Sequence, residues 1–240
     1  MFSDFLKAMG RHCGVDIRRF RPSSSSAAQL RAMIRWHQVN VVLDVGANVG
    51  QFGRELRSHV GYRGRIVSFE PMKGAHEALV RAAAWDNAWE VASRAAIGAR
   101  LGTITVNVSG NSVSSSVLPM LDSHTSAAAD SRYLSTEEVP MATLDSMAYE
   151  YLREDSVAFL KIDTQGYESA VLDGAAKTLS RVVGVQVEMS LVPLYQGQAL
   201  MPELVDRLQR LGFALWGISP TFAQDETGRM LQVDATMFRA

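Results

Sequence analysis

The chain has 240 residues, is 47% hydrophobic and 20% charged, and carries a net charge of −1. This balance fits one large folded domain with a sizeable core; it excludes disorder throughout and argues against a dedicated nucleic-acid binder, which would be strongly basic. The single cysteine, Cys13, excludes an internal disulfide and a cysteine-based zinc site, and suits a reducing cytoplasm. No apolar run reaches the ~18 residues that span a bilayer, and no apolar block follows Lys7 and Arg11 as a secretory signal would require.

Residues 1–38 read as an N-terminal helical extension and residues 39–240 as the main domain. Phe2, Phe5, Leu6 and Met9 are spaced like one face of a helix, and Arg18-Arg19-Phe20-Arg21-Pro22 ends that segment. It reads either as a helix packed on the domain edge or, because basic residues interleave with Phe, as an amphipathic lid or membrane-surface contact. Ser23 to Ser26 form a polar linker, and Ala27 to Trp36 a helix with Leu30, Met33 and Ile34 on one face.

Val39 to Val45 is a nearly unbroken apolar strand, followed by Gly46-Ala47-Asn48-Val49-Gly50 and a helix. Arg65 to Phe69 is a second strand, residues 74–84 an alanine-rich helix, and Ala88 to Val91 a third strand before Ala95-Ala96-Ile97-Gly98. Leu101 to Val108 alternates like a half-exposed strand. Residues 118–135 show little pattern and read as a lid or mobile loop. Val139 to Leu144 is a short strand, residues 146–153 a helix, and Val157 to Asp163 a buried strand. A single helix is expected over Gly166 to Leu179, then a strand from Val182 to Glu188. Met201 to Leu211 is amphipathic with Pro202 in its first turn, and Phe213 to Ile218 pairs with Ala235 to Phe238 as a final antiparallel unit.

Four of these strands end in an acid: Asp44, Glu70, Asp163 and Glu188. In a doubly wound sheet the carboxyl ends of parallel strands line one crevice, so the four converge. Asp44 opens the spacing Asp-x-Gly-x-x-x-Gly, which is neither the dinucleotide fingerprint nor the triphosphate loop. Gly46 and Gly50 let a ligand lie against the backbone, beside Asn48 and the free N–H groups of a helix start. Glu70 follows Asp44 by 26 residues, the strand–helix–strand spacing at which an acid meets a ribose.

This first motif resembles that of S-adenosylmethionine-dependent methyltransferases. Across residues 39–190 the resemblance narrows. Val41-Val42-Leu43-Asp44-Val45-Gly46-Ala47-Asn48-Val49-Gly50, Phe69-Glu70-Pro71, Thr143-Leu144-Asp145 and Lys161-Ile162-Asp163-Thr164-Gln165-Gly166-Tyr167-Glu168 resemble, in order, four blocks of the FkbM methyltransferase family. Gln165 stands where the family often has an acid.

The resemblance implies a class I methyltransferase fold. That is a Rossmann-like, doubly wound, mostly parallel seven-stranded sheet with an antiparallel C-terminal strand. It implies S-adenosylmethionine as cofactor, held by Asp44, Gly46, Asn48, Gly50, Glu70 and Ala96. The implied reaction is O-methylation of a sugar hydroxyl, with a glycolipid or other glycoconjugate as acceptor and no nucleic acid as partner. Asp163, Glu188 and the loop histidine His124 are the candidate bases. Asp163 and Glu188 are alternatively ligands for Mg²⁺, which prefers carboxylate oxygens. Tyr133, Tyr195 and Trp216 either stack on a sugar face or pack. The cytoplasm, or the inner face of its membrane, is the expected location, and a homodimer is compatible. Two other readings stay open: a methyltransferase of a non-sugar small molecule, and a catalytically silent binding protein, which Gln165 would suit.

Overall fold

A computed structural model of the protein describes residue 7 and residues 9–239. Phe2, Phe5 and Leu6, three of the four residues of the first expected helix face, lie outside the described residues. In chain order the elements are α1 (Ser26–Trp36), β1 (Val41–Val45), α2 (Gln51–Glu55), β2 (Arg65–Phe69), α3 (Lys73–Ala83), β3 (Trp89–Val91) and β4 (Ala96–Ile97). There follow β5 (Gly102–Ser109), α4 (Asp122–Ala127), β6 (Tyr133–Ala142), α5 (Leu144–Met147), β7 (Ala158–Ile162), α6 (Glu168–Asp173) and α7 (Ala176–Arg181). The last are β8 (Val182–Ser190), α8 (Met201–Arg210), β9 (Phe213–Gln224) and β10 (Arg229–Arg239).

The main sheet has seven strands in the order β3-β2-β1-β7-β8-β10-β9. The first five are parallel, and β10 runs antiparallel between β8 and β9. This is the doubly wound, mostly parallel sheet expected from the strand–helix alternation. The order reverses beside β1, the place where ligands enter such sheets. A second sheet, β4-β6-β5, stands beside it.

Strand periodicity sorts the side chains onto two faces. Leu43, Val45, Val67, Phe69, Leu160, Ile162, Val185 and Val187 share one buried cluster. Val42, Ile66 and Phe159 form the other, with Phe238 and with Leu30, Met33 and Ile34 of α1. Helix α1 starts where Ser25 Oγ accepts from the Ala28 N–H at 3.3 Å, and its apolar stripe lands on this second face. One step further along that face the apolar pattern stops. Ser68, Asp44, Lys161, Gln186 and Thr236 sit in register across β2, β1, β7, β8 and β10. All five are buried. A polar row cut across an apolar sheet marks where the core ends and the site begins.

Several expectations change with the tertiary structure. Residues 118–135 are not an irregular stretch: they hold α4, a 3₁₀ turn at Ala129–Ser131 and the start of β6. The segment is tied down by Leu121 N–H to Leu194 O at 2.9 Å, Gln196 N–H to Pro119 O at 2.8 Å and Tyr133 OH to Leu118 O at 2.7 Å. The single helix expected over 166–179 is two, α6 and α7, broken at Gly174. A Cβ on Gly174 would lie 2.0 Å from Gly98 O, so the chain bends to let the two backbones touch. Strands β6, β9 and β10 run longer than their apolar stretches. β10 buries Gln232 and Thr236, whose polarity hides the strand from a hydrophobic reading.

Phe159 is fully buried between α1 and the sheet. Phe159→Ala should lower unfolding free energy by about 3–5 kcal/mol. Urea unfolding should show this as a lower midpoint with an unchanged slope.

Candidate active site

One cavity of about 410 Å³ opens at the carboxyl ends of β1, β2, β7 and β8. Asp44, Gly46, Asn48, Glu70, Ala96, His124, Asp163 and Glu188 all line it. Residues separated by as much as three-fifths of the chain therefore meet in one space. Gly50 does not line it. Its φ of +87° begins α2, and a Cβ there would press on Leu79 and Trp89 at 3.0 Å, so Gly50 serves packing rather than a ligand.

On one side of the cavity the backbone sets the geometry. Gly46 has φ +81°, and a Cβ on it would sit 1.7 Å from Asp163 O. That glycine closes the β1 and β7 loops onto each other and leaves no space there for a ligand. Asn48, with φ +47°, gives its N–H to Glu70 Oε2 at 2.8 Å, and Met72 gives its N–H to Glu70 Oε1 at 2.9 Å. Each Glu70 oxygen keeps one lone pair toward the cavity. Burial pushes Glu70 up to about 7 against these two N–H bonds. Burial likewise pushes Asp44 up to about 6, opposed by Lys161 and by the Ser68 hydroxyl, which donates to Asp44 Oδ2 at 3.1 Å. Asn48 Oδ1 is buried with no protein partner.

On the other side stands a connected polar cluster. Lys161 Nζ donates to Asp163 Oδ2 at 2.9 Å. Gln165 Nε2 donates to Asp163 Oδ1 at 2.9 Å and to Glu188 Oε2 at 2.5 Å. Gln232 Nε2 donates to the same Glu188 oxygen at 3.0 Å, and Tyr195 OH to Gln165 Oε1 at 2.8 Å. Beneath it, Glu168 Oε1 accepts from the Thr164 and Gly166 N–H groups at 3.0 and 3.1 Å and so fixes the turn. Gln165 takes φ +53° and Gly166 φ +94°, where a Cβ on Gly166 would strike Tyr195 at 2.9 Å.

The charges follow from this packing. Burial alone would discharge Lys161, but Asp163, Asp234, Asp44 and Glu188 outweigh it and hold its pKa above the usual lysine value. Burial raises Asp163, yet Lys161 and the bonds from Lys161 and Gln165 leave it below the usual range. Burial and the neighbouring Asp163 push Glu188 well above. Within the pair, Lys161 favours the charged form of Asp163, while burial and the Asp163 charge favour the neutral form of Glu188.

Magnesium does not suit this donor set. The Lys161 ammonium, bonded to Asp163 Oδ2 at 2.9 Å, already supplies the positive charge a metal would bring and would repel a dication. Among the described residues no three His, Cys, Asp or Glu gather in a metal-holding group. His124 lines the cavity but is buried, in edge-on contact with Tyr195 at 5.1 Å, and burial pushes its pKa down to about 4. It is neutral at physiological pH and a weak base, with Nδ1 unpartnered. Tyr195 is fully buried and no sugar platform. Trp216 lies outside the cavity lining, and Tyr133 spends its hydroxyl on Leu118 O.

Lys161 and Gln232 were not expected at the site. Lys161 carried a signal: a charge inside a five-residue buried parallel strand requires partners. Gln232 carried none, because its contact with Glu188 depends on antiparallel register.

The family model of the Methyltransferase FkbM domain matches residues 44–215, most of the chain. The chain belongs to that family. Its parallel sheet with one antiparallel insertion is the class I methyltransferase arrangement. No curated protein matches this methyltransferase significantly. Among solved structures it is similar to a methyltransferase FkbM from Methylobacillus flagellatus KT, at 13% identity and TM-score 0.48, over 82% of this chain and 43% of that one. The chain thus spans less than half the length of that protein. Magnesium protoporphyrin IX methyltransferase from Synechocystis PCC 6803, with bound SAM, is similar at 10% identity and TM-score 0.46, over 89% of this chain and 79% of that one. Aeropyrum pernix fibrillarin, with natively bound S-adenosyl-L-methionine, is similar at 11% and 0.43, over 88% and 73%.

Lys161→Met in this methyltransferase leaves the Asp163 charge without its partner. Stability at neutral pH should fall by about 3 kcal/mol, the low end for a broken buried pair because Asp163 stays open to the cavity. Without Lys161, Asp163 has a folded pKa above its unfolded one, so the deficit should grow as pH rises from about 4 to 8. Denaturant unfolding across that range checks it; a deficit independent of pH would refute the pairing.

Proposed function

We propose that this methyltransferase uses S-adenosylmethionine to methylate a hydroxyl group, and that the acceptor is a sugar of a glycolipid or other glycoconjugate. The observation that carries the reading is the single cavity shared by Asp44, Asn48 and Glu70 on one wall and Asp163 and Glu188 on the other.

The residues fit the cofactor. Asn48 Oδ1 is a buried acceptor without a partner, and Glu70 has one free lone pair on each oxygen for a pair of ribose hydroxyls. Asp44 adds a second carboxylate, suited to a cationic or hydroxyl-bearing portion. When bound, S-adenosylmethionine supplies an electrophilic methyl group on a sulfonium whose thioether leaves as a neutral molecule. The chain's own part is then mostly positioning, which can supply much of the rate.

Asp163 receives the proton of the attacking hydroxyl. It is ionised, 28% side-chain exposed, and held in place by Lys161 and Gln165. Glu188, its neutral form favoured by burial and by Asp163, donates to an acceptor oxygen. Gln165 ties the two carboxyls together through its N–H group, a role an ionised acid, which has no proton to donate, could not fill. Support for a sugar comes from the family resemblance, with the hydroxyl side chains Ser114 and Thr221 joining the carboxyls in the cavity lining.

Two measurements test the reading. Calorimetric binding of S-adenosylhomocysteine should tighten roughly tenfold from about pH 6 to 8, because Glu70 must ionise to accept both hydroxyls. Glu70→Gln should bind weakly and without that slope; a flat profile in the parent would remove Glu70 from the cofactor site. Asp163→Asn should keep S-adenosylhomocysteine affinity and lose roughly 100-fold or more in turnover on a glycoside acceptor. Full turnover in that variant would overturn the assignment.

A further inference from the structure

The charge of this chain is unevenly placed. Residues 1–37 hold seven Lys and Arg against two acids, while the remaining 203 hold 17 against 23. Arg19, Arg21, Arg31 and Arg35 are exposed and join no ion pair among the described residues. Large apolar side chains stand out among them: Trp36 is 77% exposed, Val15 55%, Phe20 53% and Ile17 43%. A second pocket of about 340 Å³, separate from the active cavity, is lined by Pro22, Gln29, Ala32, Met33, Trp36 and Trp216. Pro22 brings the Arg18–Arg21 cluster to the rim of the two tryptophans.

We propose that this face docks the enzyme on an anionic lipid bilayer. The arginines meet lipid phosphates while Trp36, Phe20 and their neighbours enter the headgroup layer. Charge complementarity selects this occupant. A second copy presenting the same face would meet like charge. A nucleic acid would satisfy the arginines and stack on the aromatics, but it gives no partner to Val15, Ile17 and Ile218, the last 47% exposed. A bilayer accommodates all three kinds of side chain. The inference stands apart from the identity of the acceptor.

The test is co-sedimentation of the full chain with phosphatidylcholine vesicles and with vesicles containing about 30% phosphatidylglycerol, in about 0.1 and 0.5 M salt. Binding should be at least roughly tenfold tighter to the anionic vesicles and should disappear at the higher salt. Arg18→Glu/Arg19→Glu/Arg21→Glu and, separately, Trp36→Ser should each weaken it several-fold, with melting temperature and S-adenosylhomocysteine affinity unchanged. Equal binding to both vesicles, or none, overturns the proposal. So does equally tight binding of a homopolymeric RNA, or a concentration-dependent dimer that Trp36→Ser dissolves.

Discussion

The site depends on one buried ammonium. Lys161 lies inside a strand whose five residues are all buried, and the neighbouring acids, Asp163 foremost, keep its charge. A lysine there without them would give up its proton, and those carboxylates without the lysine would take protons up. The charge therefore drives the two acids apart. The ammonium beside Asp163 holds its pKa below the usual range, while Glu188, one hydrogen-bond bridge away, is pushed up by burial and by Asp163. This asymmetry comes from the surroundings, not from any difference in the side chains themselves.

The backbone around the cluster is shaped to the same end. Gly46 lets the β1 loop touch Asp163 O, which brings the cavity wall of Asn48 and Glu70 close to that of Asp163. Gln165 takes a left-handed conformation held on both sides, by Glu168 below and by Ser116 Oγ, which donates to Gln165 O at 2.6 Å. An amide placed this way serves two carboxyls through its Nε2 and accepts from Tyr195 through its Oε1. Gln165 thus has a physical role, bridging the two carboxyls with an N–H group that an ionised acid lacks. The smaller sheet and α4 wall the cavity with His124 and the Ser112–Val117 loop.

Much of this was legible from residue order. The four acids closing apolar strands, the glycines after β1 and the Lys-Ile-Asp run all carry local signals, and they placed Asp44, Glu70, Asp163 and Glu188 in one crevice. The signal failed where polarity and burial coincide. Gln232 and Thr236 sit in a strand that hydrophobic periodicity cuts short, because a buried polar residue looks exposed to any reading by composition. It failed again at residues 118–135, whose order comes from hydrogen bonds to Pro193, Leu194 and Gln196, far along the chain.

The sequence by itself determined the family, the alternating architecture and the residue types at the strand ends, because these follow from periodicity and short-range spacing. Tertiary structure decided their states. That Gly50 packs against Trp89 while Gly46 meets Asp163, that His124 is neutral, and that Lys161 rather than a metal balances the acids are all consequences of burial and register. Solvation and charge at a site depend on what other strands bring alongside, and one strand's residues do not contain that information.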